Sequence, residues 1–123
     1  GALGDLCLTE QIGVITYFSL AKGFLSGKYR SEADLGKSPR GERGVRPYLT
    51  ERGFRILKAL DMVAAAKGAK PAEIAIAWLM HKTAVTAPIA SATTLDQMES
   101  LVRSATVTLS AEDMAALDAA GVP

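Results

Sequence analysis

Apolar residues at Leu3, Leu6 and Cys7 and, past a turn, at Ile12 have the spacing of a short helix. Gly13 then introduces GVITY, a β-branched run that predicts a short buried strand. From Arg30 to Leu49 the pattern disappears: RSEADLGKSPRGERGVRPYL is polar, rich in Gly and Arg, and has no period, as expected of a disordered segment or a functional flap. Periodicity returns at Phe54, Leu57, Leu60, Val63 and Ala64, a helical stripe with Thr50 placed to cap its start and Gly68 its end. Pro71 opens another helix, apolar nearly all round from Ala72 to Met80, so burial on more than one side is expected. VTAPI at 85–89 predicts a second short buried strand. SATT follows it, and a helix starts near Leu95 with Thr94 and Gln97 spaced as a capping box. Ser110 caps a last amphipathic helix whose Met114 and Leu117 can dock back on the domain.

Strands separated by helices imply a parallel α/β sheet with right-handed crossovers. Two strands are too few for a parallel sheet buried on both faces, so the architecture reads as part of something larger. The start at Gly1 rather than Met, already inside a helical pattern, agrees with a fragment boundary. The expectation is a single partial domain over 1–123.

Composition narrows the function classes. Of 123 residues, 49% are hydrophobic and 22% charged, as in ordinary globular chains, and the formal net charge is only +1. No overall field would hold such a chain to nucleic acid or an anionic membrane. The arginines of the 30–49 segment offer a local basic patch, but without interleaved aromatics beyond Tyr48 the flap reading is preferred. The longest apolar run, AEIAIAWLM, is too short to span a bilayer. A single cysteine, Cys7, excludes an internal disulfide and suggests a free buried thiol in a reducing, cytoplasmic setting. His81, near a helix end, reads as a C-terminal capping or surface residue, and Trp78 as core.

Both strands run into loops of one character, small residues followed by hydroxyls: SLAKG after the first and SATT after the second. Backbone N–H groups at the start of the helix after SATT, with the hydroxyls of Ser91, Thr93 and Thr94, make an anion site. Tight turns demand the same residue types, so this pattern by itself does not separate a ligand loop from a plain turn.

TYFSLAKGFLSGKY resembles the seventh-strand signature of the aldo-keto reductases, commonly Y-S-P-L-A-x-G-x-L-T-G-K-Y. PIASATTLDQMESL resembles their eighth-strand signature, and KPAEIAIAWLMHK, between the two, is similar to the seventh barrel helix of the bacterial branch that includes relatives of potassium-channel β subunits. The resemblance covers essentially the whole chain. It implies the C-terminal part of a (β/α)8 TIM barrel, strands seven and eight with their helices plus a C-terminal helix, incomplete as a barrel that runs to about 250 residues when whole. It also implies a cofactor, NADP(H) with NAD(H) open. Phe18, Ser19, Leu20, Ala21 and Gly23 would line its pyrophosphate and nicotinamide-ribose side, with Lys28 as a cation for phosphate. Arg40, with Arg43 as rival, would help fold the flap over it. Ser91, Ala92, Thr93 and Gln97 would hold the adenosine end. The partner implied beyond the dinucleotide is a small carbonyl substrate, with no nucleic acid and no membrane.

Three positions depart from the family pattern. Phe18 and Ser19 replace the usual Ser-Pro, Thr93 stands where many relatives carry a basic residue for the 2′-phosphate, and Leu101 where an asparagine often meets adenine. The family's catalytic tyrosine, lysine, aspartate and histidine lie on the first four strands, so no catalytic residue is assigned here and this segment alone is expected to be inactive. Two other readings stay open: a nicotinamide-binding regulatory or interaction module without turnover, and a homo-oligomer joined through exposed strand edges.

Overall fold

The computed structural model describes residues 1–37 and 41–123. The chain runs through α1 (Ala2–Thr9), β1 (Ile15–Thr16), four short helical turns at Ala21–Ser26, Glu32–Lys37, Gly41–Val45 and Arg46–Tyr48, then α2 (Glu51–Lys67), α3 (Pro71–Met80), β2 (Ala87–Pro88), α4 (Leu95–Ser104) and α5 (Ala111–Ala120). β1 and β2 pair in parallel, Ile15 opposite Ala87 and Thr16 opposite Pro88. The backbone N–H of Ile89 donates to the Thr16 carbonyl at 3.0 Å, and Thr86 Oγ1 accepts from the Val14 N–H at 2.9 Å. The result is a helix-rich α/β arrangement with a two-stranded parallel sheet among the described residues.

The helices begin and end where local chemistry predicts. Thr50 Oγ1 accepts from the Gly53 N–H at the start of α2, and Gly68, at φ 63°, closes it in the left-handed conformation that glycine adopts without penalty. Ser110 and Asp113 form a reciprocal capping box on α5. α3 packs between α2 and α4 and also meets the 21–26 turn, which explains an apolar sequence with no polar face. Its Ile74, Ala75 and Ala77 join Leu57, Leu60, Val63 and Ala64 of α2 and Leu117 of α5 in one core. Side chains as completely enclosed as Leu57 and Ile74 contribute about 1.5–3 kcal/mol each.

Four expectations are corrected. Each strand pairs over only two residues and neither is buried: Ile15 of β1 is 61% exposed, and Ala87 of β2 is exposed too, as is Ile89 just beyond it at 51%. A parallel sheet is enclosed only when helices and neighbouring strands cover it, and two strands do not provide that. Of the two readings of the 30–49 segment, disorder does not hold for its described residues, which form short turns. Its turns send Leu35 and Val45 into the core, but each turn buries a single large apolar residue and so leaves no stripe to read. In α2 the stripe begins at Gly53 rather than Phe54, which is 39% exposed; Gly53, Leu57, Leu60 and Ala64 share the inner face because Tyr48 and Phe24 press on the first turn at Gly53. Cys7 is free but only half-buried, on an α1 with no buried residue.

Candidate functional site

The loops after the two strands lie side by side and wall one open cleft of about 860 Å³. Phe18, Ser19, Leu20, Gly23 and Lys28 line it from the first loop, and Ser91, Thr93 and Gln97 from the second, with Ser100, Leu101 and Ser104 of α4 between. Gly23 and Thr93, distant in sequence, therefore share a cavity. Ala21 instead lines a separate, more apolar hollow of about 1290 Å³, and Ala92 lines neither. Arg40 lies outside the described residues.

The first loop is held in an unusual backbone course. Phe18, Ala21 and Lys22 have φ of 55°, 47° and 59°, left-handed values that cost a non-glycine residue about 1–2 kcal/mol each, and Gly23 follows at 98°. Local hydrogen bonds fix it: the Ala21 N–H donates to the Phe18 carbonyl at 2.7 Å and the Gly23 N–H to the Leu20 carbonyl at 2.9 Å. Ser19 is buried, and its hydroxyl donates to the Thr16 carbonyl at 3.0 Å, tying the loop to the end of β1. Ser26 Oγ donates to the Gly23 carbonyl at 2.7 Å.

The second loop enters α4 through Thr94, whose Oγ1 accepts from the Gln97 N–H at 3.3 Å. The expected capping box is only half formed. Gln97 Oε1 accepts from the Thr93 N–H at 2.8 Å and the Thr93 hydroxyl at 3.1 Å rather than returning to Thr94. α4 is anchored from behind by Glu73, a carboxylate 3% exposed at the first turn of α3. Its Oε1 accepts from Ser100 Oγ at 2.7 Å and Arg103 Nε at 3.0 Å, and its Oε2 from the Lys70 N–H at 3.0 Å. Burial alone would raise the Glu73 pKa, but the donors of Ser100, Lys70 and Arg103 together outweigh it and hold the carboxyl below its ordinary value.

The charge pattern of the cleft is one-sided. Among the described residues its lining contains Lys22 and Lys28, several hydroxyls and no carboxylate. Lys22 was not distinguished by sequence reasoning as a ligand residue; the available signal was a cation set directly before Gly23 in a run of small residues. Ser100 and Ser104, four apart on the inner face of α4, were also missed, and their spacing was the signal. His81 caps α3 as expected: Nδ1 lies 2.8 Å from the Ala77 carbonyl, and the Leu109 N–H donates to Nε2 at 3.4 Å, which places the ring proton on Nδ1. Trp78 packs on the core with its indole N–H donating to Asp118 at 2.8 Å. No described helix is long and apolar enough to cross a membrane.

The cleft is thus walled by a first loop held in left-handed backbone and by a second loop that leads into the capped start of α4. The Aldo/keto reductase family matches residues 2–121. An uncharacterized oxidoreductase of Mycobacterium tuberculosis is 38% identical over 108 residues, covering 85% of this chain and 32% of that protein. An L-glyceraldehyde 3-phosphate reductase of Escherichia coli is 30% identical over 120 residues, covering 93% of this chain and 35% of that protein. The chain thus spans about a third of the length of these curated relatives, and by its match from residue 2 to 121 it belongs to the aldo/keto reductase family.

Proposed function

We propose that this chain forms the dinucleotide-binding portion of an NADP(H)-dependent aldo/keto reductase, its strands being the seventh and eighth of a (β/α)8 barrel. The observation that carries the reading is the shared cleft: both strand-end loops wall it, and its charged lining residues among those described are cations. Such a lining suits a pyrophosphate, because the lysines attract its charge and hydroxyls and backbone N–H groups can complete the hydrogen bonds. Phe18, Ser19, Leu20, Gly23 and Lys28 would hold the pyrophosphate and nicotinamide-ribose side; Ser91, Thr93 and Gln97 would hold the adenosine end. Ala21 and Ala92 shape these loops from outside the cleft.

When bound, the nicotinamide supplies hydride to a carbonyl carbon, and the protein's task is orientation and proton supply. The residues of this chain do the first of these. The proton donor would come from regions of the longer relatives that this chain does not span. The relative named for reducing L-glyceraldehyde 3-phosphate supports a small aldehyde or ketone as the substrate class of the whole enzyme.

Titration calorimetry of the chain with NADP+, NAD+ and 2′,5′-ADP tests the proposal, combined with amide chemical-shift mapping. Saturable binding of NADP+, with shifts at both Gly23 and Thr93 and no carbonyl reduction by the chain alone, is the expected result. Absence of binding by all three, or shifts confined to one loop, would overturn it.

A further inference from the structure

We propose that Lys22 is a second phosphate-binding cation of the cleft, resting on the Phe18 ring until a dinucleotide pyrophosphate draws it away. The inference rests on the reading of the cleft given above and adds to it a residue and a movement. Six basic side chains, those of Arg30, Lys37, Arg46, Lys67, Lys82 and Arg103, sit within 3.1 Å of a carboxylate oxygen. Lys22 has no such partner among the described residues. Its ammonium lies 5.0 Å from the centre of the Phe18 ring, and both residues line the cleft. Lys28 repeats the arrangement on the other side of Gly23, its ammonium 5.1 Å from the Tyr29 ring.

An ammonium over an exposed ring is weakly held, whereas one bonded to phosphate gains a charge-assisted hydrogen bond. The exchange is therefore favourable whenever a pyrophosphate enters. The backbone points to the same role. Lys22 adopts φ 59° and ψ 23°, which glycine would adopt at no cost, and a lysine kept there is an observed outlier located at a ligand cleft. The Gly44 backbone also passes close to its stem, since a Cβ placed there would lie 3.0 Å from Lys22 Cδ.

The test is a titration of the chain and of its Lys22→Met and Lys22→Arg variants with NADP+ at several salt concentrations, with thermal unfolding of each. Lys22→Met is expected to bind roughly tenfold more weakly and to lower the slope of log affinity against log salt by about one. Lys22→Arg, which keeps the charge, should restore most of both. Unchanged affinity and slope in Lys22→Met overturn the assignment. A loss that Lys22→Arg does not recover also overturns it, by reducing Lys22 to a packing role. If neither NADP+ nor NAD+ binds the unaltered chain, the cleft reading itself fails and this proposal with it. A measurement on the unaltered chain does not depend on variants folding: the ring-current shift of the Lys22 ε-methylene should vanish at NADP+ saturation, and its persistence would refute the movement.

Discussion

The hydroxyl of Ser100 donates to the buried carboxylate of Glu73 across 2.7 Å, joining the cleft-lining face of α4 to the first turn of α3. Because Arg103 and the Lys70 N–H converge on the same carboxylate, Glu73 fixes both the position and the rotation of α4. Glu73→Ala would strand the enclosed Ser100 donor and the Lys70 N–H, and should lower stability by about 2–3 kcal/mol in urea unfolding. Glu73→Gln keeps one acceptor and should cost less than half of that. Both variants should weaken NADP+ binding without touching the cleft themselves.

The same carboxylate gives an acid limb to stability. Its donors hold the folded-state pKa below the ordinary glutamate value, so the folded protein favours the ionised form more than the unfolded chain does. The contribution is complete above the unfolded pKa, near 4.5, and disappears as pH falls through the lower folded value. Stability of the unaltered chain should therefore fall with a steeper slope below pH 4.5 than that of Glu73→Gln, measured as urea midpoints against pH.

Asp34 supplies a second, separable titration. Its carboxylate takes a hydrogen bond from the Lys37 ammonium and others from the Arg30 and Ser31 N–H groups, which lower its pKa to about 2. The folded pKa lies below the unfolded one, so this local turn is supported above about pH 4 and released as pH falls toward 2. Carboxyl carbon chemical shifts should show Asp34 titrating near 2. Lys37→Met removes the largest contributor and should move the midpoint up toward the ordinary aspartate range.

How much of this was legible in the sequence follows the range of each interaction. The caps at Thr50, Gly68, Pro71, Thr94 and Ser110 act within one turn, so residue identity alone revealed them. The two strand-end loops were visible as composition, and the family motif placed them next to each other, which no local pattern could do. Glu73 was not legible because its partners lie 27 and 30 positions away, and an isolated Glu at the start of a helix looks like an ordinary first-turn acid. Leu35 and Val45 were hidden for a different reason: they are single apolar residues on turns too short to form a stripe.

Gly53 illustrates a requirement that no sequence pattern displays. It sits in the first turn of α2 with an ordinary helical backbone, yet a Cβ there would overlap the Tyr48 carbonyl oxygen and come within 3.1 Å of Phe24 Cζ. Phe24 is enclosed and stacks with Tyr48 at 5.7 Å between ring centres, so neither neighbour can withdraw easily. Gly53→Ala, normally favourable inside a helix, should here destabilise by about 1–3 kcal/mol. Urea unfolding against Gly36→Ala, an exposed glycine whose added Cβ would meet nothing within 4 Å, would measure it; a neutral or stabilising result would mean that the 46–48 turn yields freely.

Thr94 tests whether the start of α4 matters to the cleft as well as to the helix. Its Oγ1 satisfies the Gln97 N–H, and the same turn carries Thr93, held through its own N–H and hydroxyl by Gln97 Oε1. Thr94→Ala removes the cap and should cost about 1 kcal/mol, whereas Thr94→Ser retains the acceptor and should cost much less. Hydrogen exchange separates the local effect from the global one: the Gln97 amide should exchange faster in Thr94→Ala by more than the loss of overall stability accounts for, while amides of α2 slow or quicken only with the global change. With the turn frayed, Thr93 no longer has a fixed place on the cleft wall, and NADP+ affinity should fall in parallel with the loss of Gln97 protection. If that protection is lost and affinity is unchanged, the second loop does not take part in holding the dinucleotide.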